Sequence, residues 1–192
     1  MKRCRSCGTV WDSKKKYCPE CGGGNIDSQY IRSPVEDQFR AEVQQCLKPI
    51  TARMTKELRK IARKSLDEET HLIDFTVHSH GYPGYESFDF KFPIRWDAMD
   101  EGVGQLDDGG DLLGGAGVVI PKELYWSPAY QEFDQNDAAF RVLVQWFADC
   151  WEQAGGHQCR YPAYICHHDS GASFDLKEKR WISNNKKWPK GA

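Results

Sequence analysis

Residues 73–96 read IDFTVHSHGYPGYESFDFKFPIRW. In the first half Ile73, Phe75 and Val77 alternate with Asp74, Thr76 and His78. In the second half Phe88, Phe90, Phe92, Ile94 and Trp96 alternate with Asp89, Lys91, Pro93 and Arg95. A period of two sends successive side chains to opposite faces, so both halves predict strands with one buried face. Between them HGYPGYES, with two Gly and a Pro, predicts a long hairpin loop. Pro93 has no N–H to give a ladder and predicts that one strand sits at an edge.

Further strands are expected on the C-terminal side. Val118, Val119 and Ile120 form one short apolar run, and Tyr161 to Cys166, Ser173 to Leu176, and Trp181 with Ile182 form others, Lys177 to Arg180 making a turn before the last. Tyr125, Trp126, Tyr130 and Phe133 make an aromatic segment. From about Asp137 to Ala154 the period changes to that of a helix. Phe140, Leu143, Phe147, Cys150, Trp151 and Ala154 share one face, and Arg141, Gln145, Asp149 and Glu152 lie opposite. Asn136 is the expected cap and Gly155 the stop.

On the N-terminal side Val35, Phe39, Val43, Cys46, Leu47, Ile50, Met54, Leu58, Ile61 and Ser65 recur at helical steps, the strongest periodicity in the chain. Ser33 as N-cap, Pro34 at the first helical position and Glu36 three residues after the cap mark its start. Pro49 lacks an N–H and clashes with the preceding turn, so this helix of residues 33–66 is expected to kink or split there. Its second half carries Lys56, Arg59, Lys60, Arg63 and Lys64 as a basic stripe suited to phosphates, or simply to solvent.

Residues 97–117, DAMDEGVGQLDDGGDLLGGAG, hold seven Gly and six acids and predict a mobile loop. The acids would repel phosphate, and no Walker lysine or GxGxxG spacing is present. Calcium through Asp107, Asp108 and Asp111 lacks the spacing of an EF-hand. These three acids are instead expected to face a basic partner surface.

Before the long helix stand two CxxC pairs, Cys4 with Cys7 and Cys18 with Cys21, ten residues apart. Each two-residue gap lets both sulfurs of a pair face one point, so the four can surround Zn2+ tetrahedrally. Gly8 and Gly22, after each pair, suit the tight turn that follows. Iron in a rubredoxin-like site is the alternative metal, and two disulfides the alternative without one. There is no secretion signal, and cytosolic thiols stay reduced. The spacing resembles the short zinc ribbons at the N-terminus of many bacterial proteins, over residues 4–22. That resemblance implies one structural Zn2+ held by Cys4, Cys7, Cys18 and Cys21, and no activity. Four protein ligands leave no open position for substrate. The phrase SFDLKEKRW, residues 173–181, resembles short hairpins of bacterial toxin-immunity proteins, which implies an acidic surface covering a basic toxin.

Charge divides the chain of 192 residues. Residues 1–66 carry a net +8, residues 67–176 a net −15 and residues 177–192 a net +5, within a total of −2. Basic segments can neutralise the acidic domain internally, or either surface can steer an oppositely charged partner. Leu, Ile, Val and Phe number 37, close to the composition of disordered chains, but 24 aromatics supply the material of a core. No apolar run reaches the roughly 18 to 20 residues a bilayer needs, so a cytoplasmic protein without a membrane partner is expected.

Catalytic candidates are few. His78 and His80 project from one face of a strand, and Cys166, His167, His168 and Asp169 follow nearly ninety residues later. Together they would serve a metal-dependent hydrolase, and Cys166 with a histidine would serve nucleophilic catalysis. Dinucleotide, kinase, nucleophile-elbow, zincin and deaminase signatures are absent.

The expected architecture is α+β: a zinc ribbon over 1–26, a kinked linker helix over 33–66, an acidic domain over 67–183 built from an antiparallel sheet with a long helix packed on it, and a basic tail over 184–192. The expected function is non-enzymatic binding of another protein, with nucleic-acid binding through the ribbon and basic helix, and hydrolysis at the histidines, as the alternatives.

Overall fold

The computed structural model describes residues 2–4, 9–11, 14–20, 26–27, 33–79, 89–101 and 104–187. Three short strands open the chain: β1 (Lys2–Cys4), β2 (Val10–Trp11) and β3 (Ile26–Asp27), paired in the order β2-β1-β3.

Helix α1 (Pro34–Leu47) follows. The Ser33 hydroxyl accepts from the Glu36 N–H at 3.1 Å, and Pro34 occupies the first turn. A 3-10 turn, Lys48–Ile50, then holds Pro49, and α2 (Thr51–Ala62) resumes beyond it. The expected break at Pro49 is present, and the helix stops at Ala62. The pair does not act as a linker. Phe39, Val43, Leu47, Met54, Leu58 and Ile61 lie in one core cluster with the sheet, because their apolar stripe has the long C-terminal helix to pack against.

Strand β4 (Leu72–Val77) shows the expected alternation, with Ile73, Phe75 and Val77 buried. The second half of the opening stretch divides at Pro93 into β5 (Phe90–Phe92) and β6 (Ile94–Met99). Of these two only β6 pairs with β4, from Val77 opposite Ile94 to Leu72 opposite Met99. The shorter β5 pairs instead with β8 (Val118–Ile120) in a sheet of two strands. Proline cannot supply the ladder donor at 93, so the alternation runs on while the pairing changes. Phe88 and the loop of residues 81–88 lie outside the described residues.

The Gly-rich acidic stretch is not a free loop. Gln105–Asp111 forms β7, an edge strand on β6, followed by a short 3-10 segment, Leu112–Gly115. Gly109 is required there: a Cβ on it would stand 2.5 Å from Asp97 Oδ1 and 3.0 Å from the Trp96 carbonyl. After α3 (Lys122–Tyr125) comes α4 (Gln135–Gln153). Its cap is Asp134, whose carboxylate accepts from the Asp137 N–H at 2.9 Å; Asn136, the expected cap, lies in the first turn. Gly155 ends it at φ 89°.

The chain closes with β9 (Ala163–His167), β10 (Ala172–Asp175), β11 (Arg180–Ser183) and the single turn α5 (Asn184–Lys187). The large sheet runs β11-β10-β9-β4-β6-β7. It departs from the antiparallel expectation at one place, where β4 and β9 pair in parallel with Val77 opposite His167. The architecture is α+β. Phe75 occupies its centre, edge-on to Phe147 at 4.9 Å and Trp151 at 5.5 Å between ring centroids. Among the described residues no helix is long and apolar enough to cross a membrane.

Candidate functional site

Two of the four expected thiolate ligands are among the described residues. Cys4 ends β1, Cys18 follows the exposed stretch 14–17, and both are buried in a small cluster of their own against Trp11 and Trp181. The Cys4 N–H donates to the Thr9 carbonyl at 2.9 Å. Cys7 and Cys21, with Gly8 and Gly22, lie outside the described residues. Arg3 pairs with Asp137 in the first turn of α4, and the same carboxylate receives Arg141 at 2.7 Å. Arg141 in turn lies over the Trp181 ring, 5.6 Å from its centroid.

All five cations of the α2 stripe are exposed. Two have internal partners: Arg59 donates to the Gln153 carbonyl at 3.3 Å, and Lys64 pairs with Asp108 while standing 5.3 Å from the Trp96 ring centroid. Lys56, Lys60 and Arg63 form no ion pair with any described residue. Of the three acids expected to meet a partner, Asp108 is thus taken by Lys64 and Asp111 is exposed. The Asp107 side chain lies outside the described set.

A stronger concentration of acid lies at the other end of the hairpin. Glu68, Glu69, Thr70, His71, Asp100 and Glu101 line an open cleft of about 400 Å³. The register that sets Leu72 opposite Met99 makes it, the His71 N–H donating to the Met99 carbonyl at 2.7 Å, so that residues 68–71 stand beside 100–101. Among the described residues no lysine or arginine lines the cleft. Thr70 in its wall is only 7% exposed, and its Oγ1 has no hydrogen-bond partner among the described residues. Both acidic pairs were visible in sequence; their meeting depends on the strand register, which was not.

The histidines converge as well. Parallel pairing of β4 with β9 puts His167 beside Val77, and the His168 N–H donates to the Val77 carbonyl at 3.0 Å. His78 stacks on His168 with centroids 4.9 Å apart, and the rings of His167 and His168 are 4.6 Å apart. His168 Nε2 is 2.9 Å from Asp169 Oδ2. His167 contacts Ser79 Oγ through Nε2 at 3.1 Å, and Asn136 donates to that hydroxyl at 3.4 Å from the first turn of α4. Burial, with His168 and His78 adding to it, holds the His167 pKa below that of an ordinary histidine. His80 lies outside the described residues.

Cys166 does not join them. Alternation along β9 turns it to the opposite face from His167, where it hydrogen-bonds with Ser173 and Thr76. Burial, and then the nearby Asp74 carboxylate, push its thiol pKa up, which opposes a nucleophilic thiolate. On that face the C-terminal turn folds back, and Lys187 reaches Asp74 at 2.5 Å, both largely buried. The remainder of the basic tail, residues 188–192, lies outside the described residues. No protein-family model matches the chain, nor does any curated protein or solved structure.

Proposed function

We propose that the protein acts by binding another protein, whose basic surface docks on the acidic cleft of Glu68, Glu69, Asp100 and Glu101. The observation that carries this is the cleft itself, a concavity with four carboxylates and, among the described residues, no lysine or arginine on its wall. Such a wall attracts cationic side chains, and its field raises the rate of encounter. The net −15 of residues 67–176 extends the same field over the surrounding surface. Asp108, paired with Lys64 at the surface, is already engaged, and the cleft replaces it as the centre of recognition.

In this account the ribbon is a structural staple. Burial of Cys4 together with Cys18, one from each CxxC pair, supports a tetrathiolate completed by Cys7 and Cys21, and four soft sulfur donors suit Zn2+. The zinc supplies no step of chemistry. The same reading puts the protein in the cytosol, where thiols stay reduced. A toxin whose cationic face needs covering is the partner that the likeness of residues 173–181 to immunity proteins names.

The test uses the full chain and a labelled peptide rich in Lys and Arg, followed by fluorescence anisotropy. Glu68→Gln, Glu69→Gln and Glu101→Gln together are expected to weaken binding at least tenfold, and added salt to weaken the wild type similarly. Asp100 is left intact because its Oδ1 accepts from the Gly104 N–H at 2.6 Å. Equal affinity in the triple variant and the wild type overturns the proposal. Asp111→Asn serves as the control and leaves binding unchanged.

A further inference from the structure

We infer that His78, His167, His168 and Asp169 form a second metal site, separate from the ribbon and suited to a late first-row divalent cation such as Zn2+. Two segments of chain build it. His78 leaves the end of β4, and His167 to Asp169 occupy the end of β9 and the turn after it. One donor atom from each of His167, His168 and Asp169 lies within 4.8 Å of the other two, and the His78 ring stacks on His168. A metal at about 2.1 Å from each of four tetrahedral ligands needs donors about 3.4 Å apart. Closing the difference takes rotations of His168 and Asp169, whose side chains are 36% and 77% exposed and therefore free to turn.

The surroundings orient His167 for this role. If its Nε2 donates to Ser79, the lone pair stays on Nδ1, where it accepts from the Asp169 N–H at a long 3.4 Å, a weak bond that a metal would replace. A hydrogen bond from one imidazole nitrogen to a fixed acceptor is how proteins set the tautomer of a metal-binding histidine. Asn136 completes this outer layer: its amide donates to the Ser79 hydroxyl, and its own Oδ1 is buried with no partner among the described residues. Phe140, edge-on to His167 with centroids 5.4 Å apart, walls one side with hydrocarbon. Three imidazoles and one carboxylate favour zinc, copper, nickel or cobalt over calcium and magnesium, which take oxygen ligands. The acidic cleft is formed by other residues, so this site stands or falls independently of the partner proposed above.

The experiment titrates the full-length protein with Zn2+ and, in parallel, with Co2+. The expected result is two equivalents bound. The first Co2+ shows the charge-transfer absorption of thiolate ligation, and the second shows only the weaker d–d bands of nitrogen and oxygen ligands. His168→Ala and Asp169→Asn, both at exposed positions, are expected to weaken the second equivalent at least tenfold and leave the first untouched. His78→Ala should do the same, and Ser79→Ala should weaken it less. Saturation of the wild type at one equivalent that carries thiolate absorption overturns the inference, as does a second equivalent that carries thiolate absorption or that survives His168→Ala with unchanged affinity.

Discussion

Arg3 and Asp137 form an ion pair that fastens the first strand of the cysteine-bearing segment to the first turn of α4. Asp137 also holds Arg141 at 2.7 Å, so one carboxylate compensates two largely buried guanidinium groups, 12% and 11% exposed. Asp137→Ala removes the shared acceptor and leaves both guanidinium groups without its charge. The expected cost is about 1 to 3 kcal/mol in denaturant unfolding. Asp137→Asn, which keeps an acceptor oxygen but no charge, should lose less. The alanine variant should also expose Cys4 and Cys18 to alkylation faster than the wild type, since the tie to α4 is gone. Unchanged stability in Asp137→Ala would show that the pair contributes no net binding.

Two glycines of the main domain should respond oppositely to the same substitution. Gly117 has φ 65°, and a Cβ there would lie 2.0 Å from the Phe92 carbonyl oxygen, a backbone atom that cannot step aside. Gly171 has nothing within 4 Å of its would-be Cβ. Gly117→Ala is expected to cost about 3 kcal/mol or more, combining strain at positive φ with overlap, whereas Gly171→Ala should stay within about 0.5 kcal/mol. Thermal melts of the two variants side by side check the contrast.

The alternation of Ile73, Phe75 and Val77 and of Ile94 and Trp96 could be read directly because it reports burial on one face, and the structure places those residues there. The edge strand β7 could not. Its Asp and Gly residues disfavour strands, and it pairs because Gly109 lets it approach Asp97 and Trp96 closely, a tertiary effect with no local signal. The cap of α4 was displaced by two residues because Asp134 and Asn136 are both good caps, and only the Asp137 N–H bond distinguishes them. The histidines were visible as residues but not as a cluster. Their meeting depends on the parallel register of β4 on β9, which joins positions ninety apart in the chain and leaves no periodicity to detect.

Burial should make the thiols of the core inert. The Cys150 thiol is fully enclosed and pushed up to about 11 by burial, with Asp149 adding to it, and Cys166 is raised by burial and by Asp74. At pH 8 a thiol of pKa 11 is ionised to about one part in a thousand, and the thiolate is the reactive form. Iodoacetamide applied to the folded protein at that pH should leave both unmodified by peptide mass spectrometry, and both should react in denaturant. Rapid native alkylation of Cys166 would point instead to an activated nucleophile.

Nucleic acid is expected to bind the α2 stripe only weakly. Three cations of the α2 stripe, Lys56, Lys60 and Arg63, form no ion pair with a described residue, fewer than the 6 to 10 phosphate contacts of proteins with strong salt dependence. Retention on DNA or RNA columns should be slight at physiological salt, and Lys60→Glu with Arg63→Glu should change it little. Tight, salt-dependent retention lost in that double variant would reassign the function to the helix.

Removal of the ribbon metal should separate two layers of stability. The core cluster that holds α1, α2, α4 and the large sheet includes no described residue of the first thirty, whereas Cys4 and Cys18 form their own cluster with Trp11 and Trp181. A segment so small draws its folding free energy from the metal, about 10 to 16 kcal/mol of apparent binding in zinc-finger peptides. Stripping zinc with a chelator should therefore open Cys4, Cys7, Cys18 and Cys21 to alkylation and alter tryptophan emission through Trp11 and Trp181. The helical far-UV dichroism should persist. Thiol access is the decisive readout because a chelator would also empty a histidine site, and no cysteine belongs to that site. Loss of helical signal together with zinc would make the ribbon a condition for folding of the whole chain. Four thiols as protected after chelation as before would show that no metal holds them.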